Sequence, residues 1–336
     1  MMNKSIVVVG CGSIGQRHIR NLAEVGVDEI IGVDHDEQML NEAKKSGADL
    51  TYSDLAPAIQ QNNIDAGFVC VPNHLHIQIA SQLADKGIDL FIEKPLSHTM
   101  DGVTDLISKT KENDLISLVG CNLRFHPGIQ TIKELLDKDA IGKTVSVKIE
   151  AGSYLPGWHP DDDYKNMYSA RENEGGGAIL DFIHEIDYAR WLFGDVSSVS
   201  AMAGTYSDLE LETEDLGAML LEFENDLIGE LHVDYVQRSY SRSCKVIGTN
   251  GTLYWEWQQG SVEEFDPEAE QWVSHRLPEW TMNDMYIDET RHFLQSIENR
   301  DETISGLESG KSALEIALAA KRSNTEGRRV SVESVN

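Results

Sequence analysis

The run Gly10-Cys11-Gly12-Ser13-Ile14-Gly15 constrains this chain more than any other segment. It follows the β-branched stretch Ile6–Val9 and opens a segment, Ser13–Val25, whose residues Ile14, Ile19, Leu22 and Val25 recur at helical spacing. Strand, glycine turn and helix form the first piece of a dinucleotide-binding fold. Gly10 permits the tight turn, Gly12 lets a pyrophosphate approach the backbone, and Gly15 lets helix and strand pack closely. The first N–H groups of the helix, at Ser13 and Ile14, then face the phosphates with a partial positive charge. Asp34 ends the next strand, Glu29–Val33, roughly 20 residues past the glycines, where a carboxylate accepts both ribose hydroxyls and repels a 2′-phosphate. NAD is the expected cofactor, and His35, which can carry a proton beside a phosphate, leaves NADP open. The bland alternative is a strand–turn–helix with no ligand.

The alternation continues. Ala66–Val71, Asp89–Ile92 and Ser117–Cys121 read as strands, with helices over Gln38–Ser46, His74–Lys86 and Thr99–Asn113. Such spacing implies a doubly wound parallel sheet covered by helices. After residue 123 the pattern changes. A helix over Pro127–Asp137 leads to the strand Thr144–Ala151, a Pro-, Asp- and aromatic-rich loop, and a helix from the glycines at 175–177 to Phe193. Strand-like runs follow at 196–206, 215–223, 228–235, 243–247 and 252–257, with Asn250-Gly251 as a tight hairpin turn whose residues tolerate positive φ. Helices over 283–298 and 310–325 close the chain. The expected architecture is α/β: a Rossmann domain over residues 1–123, then an α+β domain over 124–336 on a mostly antiparallel sheet.

With 57 acidic against 28 basic residues the formal charge is −29, which argues against nucleic acid and anionic membranes as partners. No apolar run approaches the roughly 20 residues of a membrane span, and the N-terminal run breaks at Gly10, unlike a signal peptide. The four cysteines are scattered without a CxxC pair, which fits a reducing, cytoplasmic setting and gives no cysteine metal site.

Three groups of residues carry candidate chemistry. Lys94, in Glu93-Lys94-Pro95, follows the strand Asp89–Ile92 and so lies at the carboxyl end of the sheet, where ligands bind. Beside an oxidised nicotinamide its proton is held less tightly, and it can exchange one with a substrate hydroxyl; the plain reading is a surface lysine before a turn. Asp181 and His184 are three apart, on one face if their stretch is helical, so imidazole and carboxylate can share a proton-handling task or simply form a surface pair. Tyr154, Trp158, Tyr164 and Tyr168 crowd one loop, where they can stack on sugar C–H faces or pack on their own sheet. Arg238 and Arg242, four apart, can clamp a carboxylate or phosphate, or pair with local acids. His74-x-His76 lacks a third ligand, so no metal is expected.

Five motifs in order, GxGxxG, Val71-Pro72-Asn73-His74-Leu75-His76, Glu93-Lys94-Pro95, Asn122-Leu123-Arg124-Phe125-His126-Pro127 and Gly175–Asp187, resemble the glucose–fructose oxidoreductase/inositol dehydrogenase (Gfo/Idh/MocA) family over nearly the whole chain. The resemblance implies a Rossmann domain, an open-faced antiparallel sheet and NAD(P)-dependent chemistry on sugars, cyclitols or nucleotide sugars, in dimers or tetramers. It implies catalytic roles for Lys94, Asp181 and His184, with the base either Lys94 or His184. It assigns Pro72, Asn73, His76 and Glu93 to the cofactor wall, and Asn122 and Arg124 to the neighbourhood of nicotinamide and substrate. The family usually spaces its aspartate and histidine by four residues; here the spacing is three. The 154–170 loop with His184-Glu185-Ile186-Asp187 resembles a branch associated with sialic-acid-like sugars.

The reaction expected is hydride transfer between nicotinamide and a secondary alcohol of a sugar, acidic sugar or nucleotide sugar. A redox-neutral enzyme that retains NAD and a non-catalytic NAD-binding regulator are the alternatives.

Overall fold

The computed structural model describes residues 4–160 and 162–335. The chain divides into two compact units, one of residues 1–122 with 281–311, the other of residues 123–280 with 312–336. The outer limits of the two expected domains, Met1 and Asn336, lie outside the described residues.

In the first unit, strands β1 (Ser5–Val9), β2 (Glu29–Val33), β3 (Leu50–Tyr52), β4 (Ala66–Val69), β5 (Asp89–Ile92) and β6 (Ser117–Val119) alternate with helices α1 (Ser13–Glu24), α2 (Glu37–Ser46), α3 (Leu55–Gln61), α4 (His76–Ala84) and α5 (Val103–Glu112). All strand pairs are parallel, in the order β3-β2-β1-β4-β5-β6. Order reverses between β1 and β4, so the loops after these two strands flank the switch point where open α/β sheets bind ligands. The sequence reading missed β3 and α3, which are too short to display a period.

The main departure is residues 281–311, expected in the second domain but part of the first unit. The cause is burial. Phe68 and Phe91 stack with ring centroids 4.3 Å apart, and Phe293 meets them edge-on at 5.6 and 5.7 Å. Burying one such ring stabilises the fold by roughly 1.5–3 kcal/mol. Asn283 also donates to the Asn21 side chain, and Arg300 pairs with Asp89 at 2.7 Å.

The second unit starts with α6 (Pro127–Asp137) and β7 (Thr144–Gly152), followed by α7 (Ala178–Asp181) and α8 (Ile183–Phe193). Strands β8 (Val196–Gly204), β9 (Leu216–Phe223), β10 (Ile228–Asp234), β11 (Ser241–Gly248), β12 (Thr252–Glu256), β13 (Ser261–Asp266) and β14 (Gln271–Arg276) come next. Helix α9 (Met282–Asn299) belongs to the first unit, α10 (Leu307–Glu326) runs from one unit into the other, and β15 (Val330–Ser331) ends the sheet. The order is β14-β13-β12-β11-β7-β10-β9-β8-β15, antiparallel except for the β7–β10 pair. Burial alternates along β7, β9, β10 and β11. One face packs under α7 and α8; the other leaves Met202, Leu220, Ile228 and Ile247 exposed.

The hairpin at Asn250-Gly251 forms, but neither residue has positive φ. Thr249 and Asn250 donate their N–H groups to Lys143 and Ile141, and Gly248 shifts register against β7. Those outside bonds hold a wider turn than the tight one the dipeptide suggested.

Candidate functional site

In the first unit the glycine turn is fixed by contacts that exclude side chains. Gly10 has φ +91°, and a Cβ there would lie 2.5 Å from the Cys70 carbonyl oxygen. A Cβ on Gly15 would collide with the Gly10 carbonyl oxygen. Gly12 differs. It is the N-cap of α1, no side chain caps the helix there, and a Cβ at Gly12 would meet no described atom within 4 Å. Ser13 beside it is exposed and Ile14 is half-buried. Across the turn, Asp34 accepts from the Cys11 N–H at 2.7 Å and the Asp36 N–H at 2.9 Å. A bare helix N-terminus, an open approach over Gly12 and a carboxylate held on backbone donors together fit the phosphates and ribose of an adenine dinucleotide. His35 is fully exposed beside Asp34, its Nδ1 3.4 Å from the carboxylate.

The wall beside this cradle is built from backbone contacts. Pro72 accepts from the Leu75 N–H, and Asn73 is buried in the short helical turn that follows. His76 is buried, with Nδ1 2.8 Å from the Pro95 carbonyl oxygen and Nε2 2.8 Å from that of Val71. Its ring is thus committed to the protein rather than presented to a ligand. Glu93 is committed as well: Oε1 lies 2.6 Å from His18 Nε2, and Oε2 accepts the Lys94 N–H at 3.2 Å. Burial opposes the Glu93 charge, but the bond with His18 and the Lys94 charge hold it below the usual carboxylate range. Lys94 is half-buried at the end of β5. Asn122 is buried beside Tyr286, whose phenol it hydrogen-bonds.

Two members of this wall, His18 and Tyr286, were missed from sequence. His18 does follow Ile14 and precedes Leu22 at helical spacing, which marks it as an inward-facing polar residue on the apolar side of α1.

In the second unit the glycine run is again required by close approach. Gly177 has φ +114° and packs against the Glu214 carboxylate, and Gly176 packs on the Tyr168 carbonyl. Glu214 accepts from the Ile179 N–H at 3.1 Å and pairs with Lys321 at 3.2 Å, so it anchors the start of α7. The expected single helix is broken at Phe182 (φ −93°, ψ 31°), which leaves Asp181 ending α7 and His184 in α8. Their sharing of one continuous helical face, as an i,i+3 pair, is therefore corrected. Asp181 is 3% exposed. Its Oδ1 accepts from the Tyr168 phenol at 2.9 Å and its Oδ2 from the Tyr235 phenol at 2.5 Å. Burial and the Asp181 charge push the Tyr235 phenol well above its usual range. His184 is half-buried.

The other expected ligand residues spread out. Tyr168 holds Asp181. Trp158 donates to the Ser153 hydroxyl and sits edge-on to Tyr235 at 5.5 Å, close to Phe182. Tyr164 accepts the Glu210 N–H, which ties two loops. The two arginines form no common clamp. Arg238 is exposed, its guanidinium 3.6 Å over the Tyr154 ring, whereas Arg242 is buried against Glu185 at 2.7 Å. Arg124 is buried too, in a two-bond pair with Asp187 at 2.8 and 2.6 Å. A buried charge needs such a partner, and both acids lie on α8 inside the candidate segment. Tyr235 was unassigned from sequence, although it falls in phase with the inward residues Leu231 and Val233. Among the described residues no group of three or more His, Cys, Asp or Glu side chains is placed to hold a metal ion.

Comparison with known proteins bears on both units. The family described as "Oxidoreductase family, NAD-binding Rossmann fold" matches residues 4–121, and the GFO/IDH/MocA C-terminal domain matches residues 129–254. The chain is 29% identical to myo-inositol 2-dehydrogenase of Thermotoga maritima over 98% of this chain and 99% of that one. It is 25% identical to 2,7-anhydro-N-acetylneuraminate hydratase of Mediterraneibacter gnavus, over 61% of this chain and 53% of the relative. A solved structure of levoglucosan dehydrogenase in complex with NADH superposes with a TM-score of 0.91 at 20% identity, covering 98% of this chain and 99% of the other, and so shares the fold.

Proposed function

This chain belongs to the Gfo/Idh/MocA family of NAD-binding oxidoreductases, and from that premise we propose that it moves a hydride between NAD and a secondary carbinol carbon of a sugar or cyclitol derivative. It is an NAD-dependent dehydrogenase or reductase acting on CH–OH groups. The observation that carries the reading is the open approach over Gly12 beside the backbone-held Asp34 carboxylate. That arrangement favours NAD over NADP, because a 2′-phosphate would meet the carboxylate.

Bound NAD supplies the hydride acceptor or donor. The chain's own residues handle the rest. Gly12 and the first N–H groups of α1 hold the phosphates, and Asp34 orients the adenosine ribose. Lys94 or His184 is assigned the hydroxyl proton. Asp181, with both oxygens accepting hydrogen bonds from phenol hydroxyls, is held in place and orients rather than shuttles. Positioning donor and acceptor on one scaffold converts a bimolecular transfer into an oriented one.

Arg238, exposed over Tyr154, supports a substrate that carries a carboxylate or phosphate, as an acidic or nucleotide-linked sugar does. The exposed apolar sheet face supports assembly as a homodimer or homotetramer, which light scattering would measure. Four buried free thiols suit a reducing cytoplasm, and no described helix is long and apolar enough to cross a membrane.

The test is absorbance at the reduced-nicotinamide band with NAD and a panel of cyclitols, acidic sugars and nucleotide sugars. Lys94→Ala is expected to lose turnover while still binding NAD in calorimetry; full activity in that variant rejects the assignment. The similarity to a hydratase favours a second reading, a redox-neutral reaction with NAD retained. It predicts exchange of substrate hydrogen with deuterated solvent and no net NADH.

A further inference from the structure

The Glu93 carboxylate joins three elements of the first unit. Glu93 follows β5 and stands directly before Lys94. Its Oε1 lies 2.6 Å from Nε2 of His18, one turn past Gly15 on α1. Its Oε2 accepts the Lys94 N–H at 3.2 Å. Gly120, just past β6, closes over that second oxygen, since a Cβ there would lie 3.2 Å from it. Both partners are buried, His18 completely.

Three rings hold the imidazole in its slot. Phe68 on β4 and Phe91 on β5 have centroids 5.2 and 4.9 Å from it, and Tyr286 on α9 meets it edge-on at 6.2 Å. A carboxylate only accepts, so Nε2 carries the hydrogen of the bond. Burial opposes the Glu93 charge most strongly. The His18 bond is the foremost contact that offsets it, ahead of the Lys94 charge and the Lys94 N–H, and the carboxyl stays below its usual range. Without that donor the carboxylate keeps only its contacts with Lys94. It then takes up a proton or turns away, and the turn that presents Lys94 loses its fixed support. Packing alone does not call for a polar pair here. The surroundings are aromatic, and two apolar side chains would avoid the desolvation of an anion. What the pair adds is direction.

We propose that His18 is a positioning residue: its Nε2–H holds the Glu93 carboxylate against the Lys94 backbone, and so couples the helix of the cofactor cradle to the lysine that follows β5. The effect on catalysis rests on the dehydrogenase reading above; the bond from Nε2 to Glu93 does not.

Two substitutions separate direction from packing. His18→Leu keeps an apolar filling and removes the donor. With NAD and the most active compound of the cyclitol, acidic-sugar and nucleotide-sugar panel, it is expected to lower kcat roughly 10- to 100-fold, the scale of a small misplacement of a reacting group. NAD affinity in calorimetry is expected to stay at the wild-type level. His18→Gln places an amide N–H where Nε2 stood and is expected to restore most of kcat. Wild-type kcat in His18→Leu overturns the proposal, and so does a His18→Gln as slow as His18→Leu. Loss of NAD affinity in step with kcat identifies damage to the cradle and also overturns it. Nitrogen-15 NMR of histidine-labelled full-length protein without cofactor reads the bond directly, and it decides the matter if His18→Leu does not fold. The His18 signals are identified by their loss in His18→Gln. Nε2 is expected to be protonated, and an unprotonated Nε2 refutes the clamp. A wild type that turns over no compound of the panel yet shows the protonated Nε2 keeps the clamp on Glu93 and loses the dehydrogenase reading.

Discussion

Gly12 and Gly15 sit three residues apart in one motif, and the structure predicts opposite consequences for the same substitution. Gly12→Ala adds a methyl that meets no described atom, at a backbone with φ −68° that alanine adopts freely. Alanine is a poorer N-cap than glycine by roughly 0.5–1 kcal/mol, and a less flexible unfolded chain returns about 0.4–1 kcal/mol. The net change in stability is within ~1 kcal/mol. The methyl does occupy the approach to the helix N-terminus, where a phosphate would lose a charge-assisted hydrogen bond of about 1.5–3 kcal/mol. That corresponds to NAD affinity weaker by roughly 10- to 100-fold. Gly15→Ala drives its methyl into the Gly10 carbonyl, a backbone atom itself fixed by a 2.8 Å bond from Gly10 N–H to Val33. Overpacking without room to relax costs about 1–3 kcal/mol or more. Melting without cofactor is expected to leave Gly12→Ala near wild type and lower Gly15→Ala by several degrees, and calorimetry is expected to show the NAD loss in Gly12→Ala. Wild-type NAD affinity in Gly12→Ala, or a wild-type melt in Gly15→Ala, refutes the reasoning.

Three further outcomes are expected. Tyr235→Phe removes one of two phenols from the buried Asp181 carboxylate, lowering stability by about 1.5–3 kcal/mol and reducing turnover; because the folded phenol stays protonated while the unfolded one ionises near pH 10, the wild type should lose about 1.4 kcal/mol more per pH unit above that point than the variant, as alkaline urea titrations would show. His126, lowered from 6.5 to about 3 by burial and the Arg242 cation, contributes stability present above pH ~6.5 and lost as pH falls toward 3, about 5 kcal/mol in all. His126→Asn retains an acceptor for the Gly128 N–H, so its unfolding free energy should fall less steeply with acid, and equal slopes would contradict a neutral buried ring. Arg124→Met leaves Asp187 buried without its partner and is expected to cost about 3–5 kcal/mol in urea unfolding, with much of the loss recovered in Arg124→Met/Asp187→Leu; additive losses would count against the pair.

The division between sequence and tertiary structure follows from the range of the forces involved. Gly10, Gly12, Gly15 and Asp34 were legible because turn, helix start and strand end are local, and each needs a particular residue type within a few positions. The strand–helix alternation of the first unit and strands β7 to β12 of the second were legible for the same reason, as periodicity is a local record of which side faces inward, whereas β13, β14 and β15 were not read. Partnership is different. Nothing in the chain order announces that Glu93 meets His18, that Arg242 meets Glu185 rather than a ligand, that Tyr168 and Tyr235 both hold Asp181, or that Phe293 returns to Phe68 and Phe91. A buried charge takes whichever opposite group the packed fold delivers, often from far along the chain, so Arg242, which looks like half of a ligand clamp in sequence, becomes an internal strut while Arg238 stays exposed. The break at Phe182 between α7 and α8 likewise appears only once packing against the sheet is fixed. Local stereochemistry thus wrote the cofactor turn into the sequence, and long-range burial, which forbids an unpaired polar group, decided which side chains remain for chemistry.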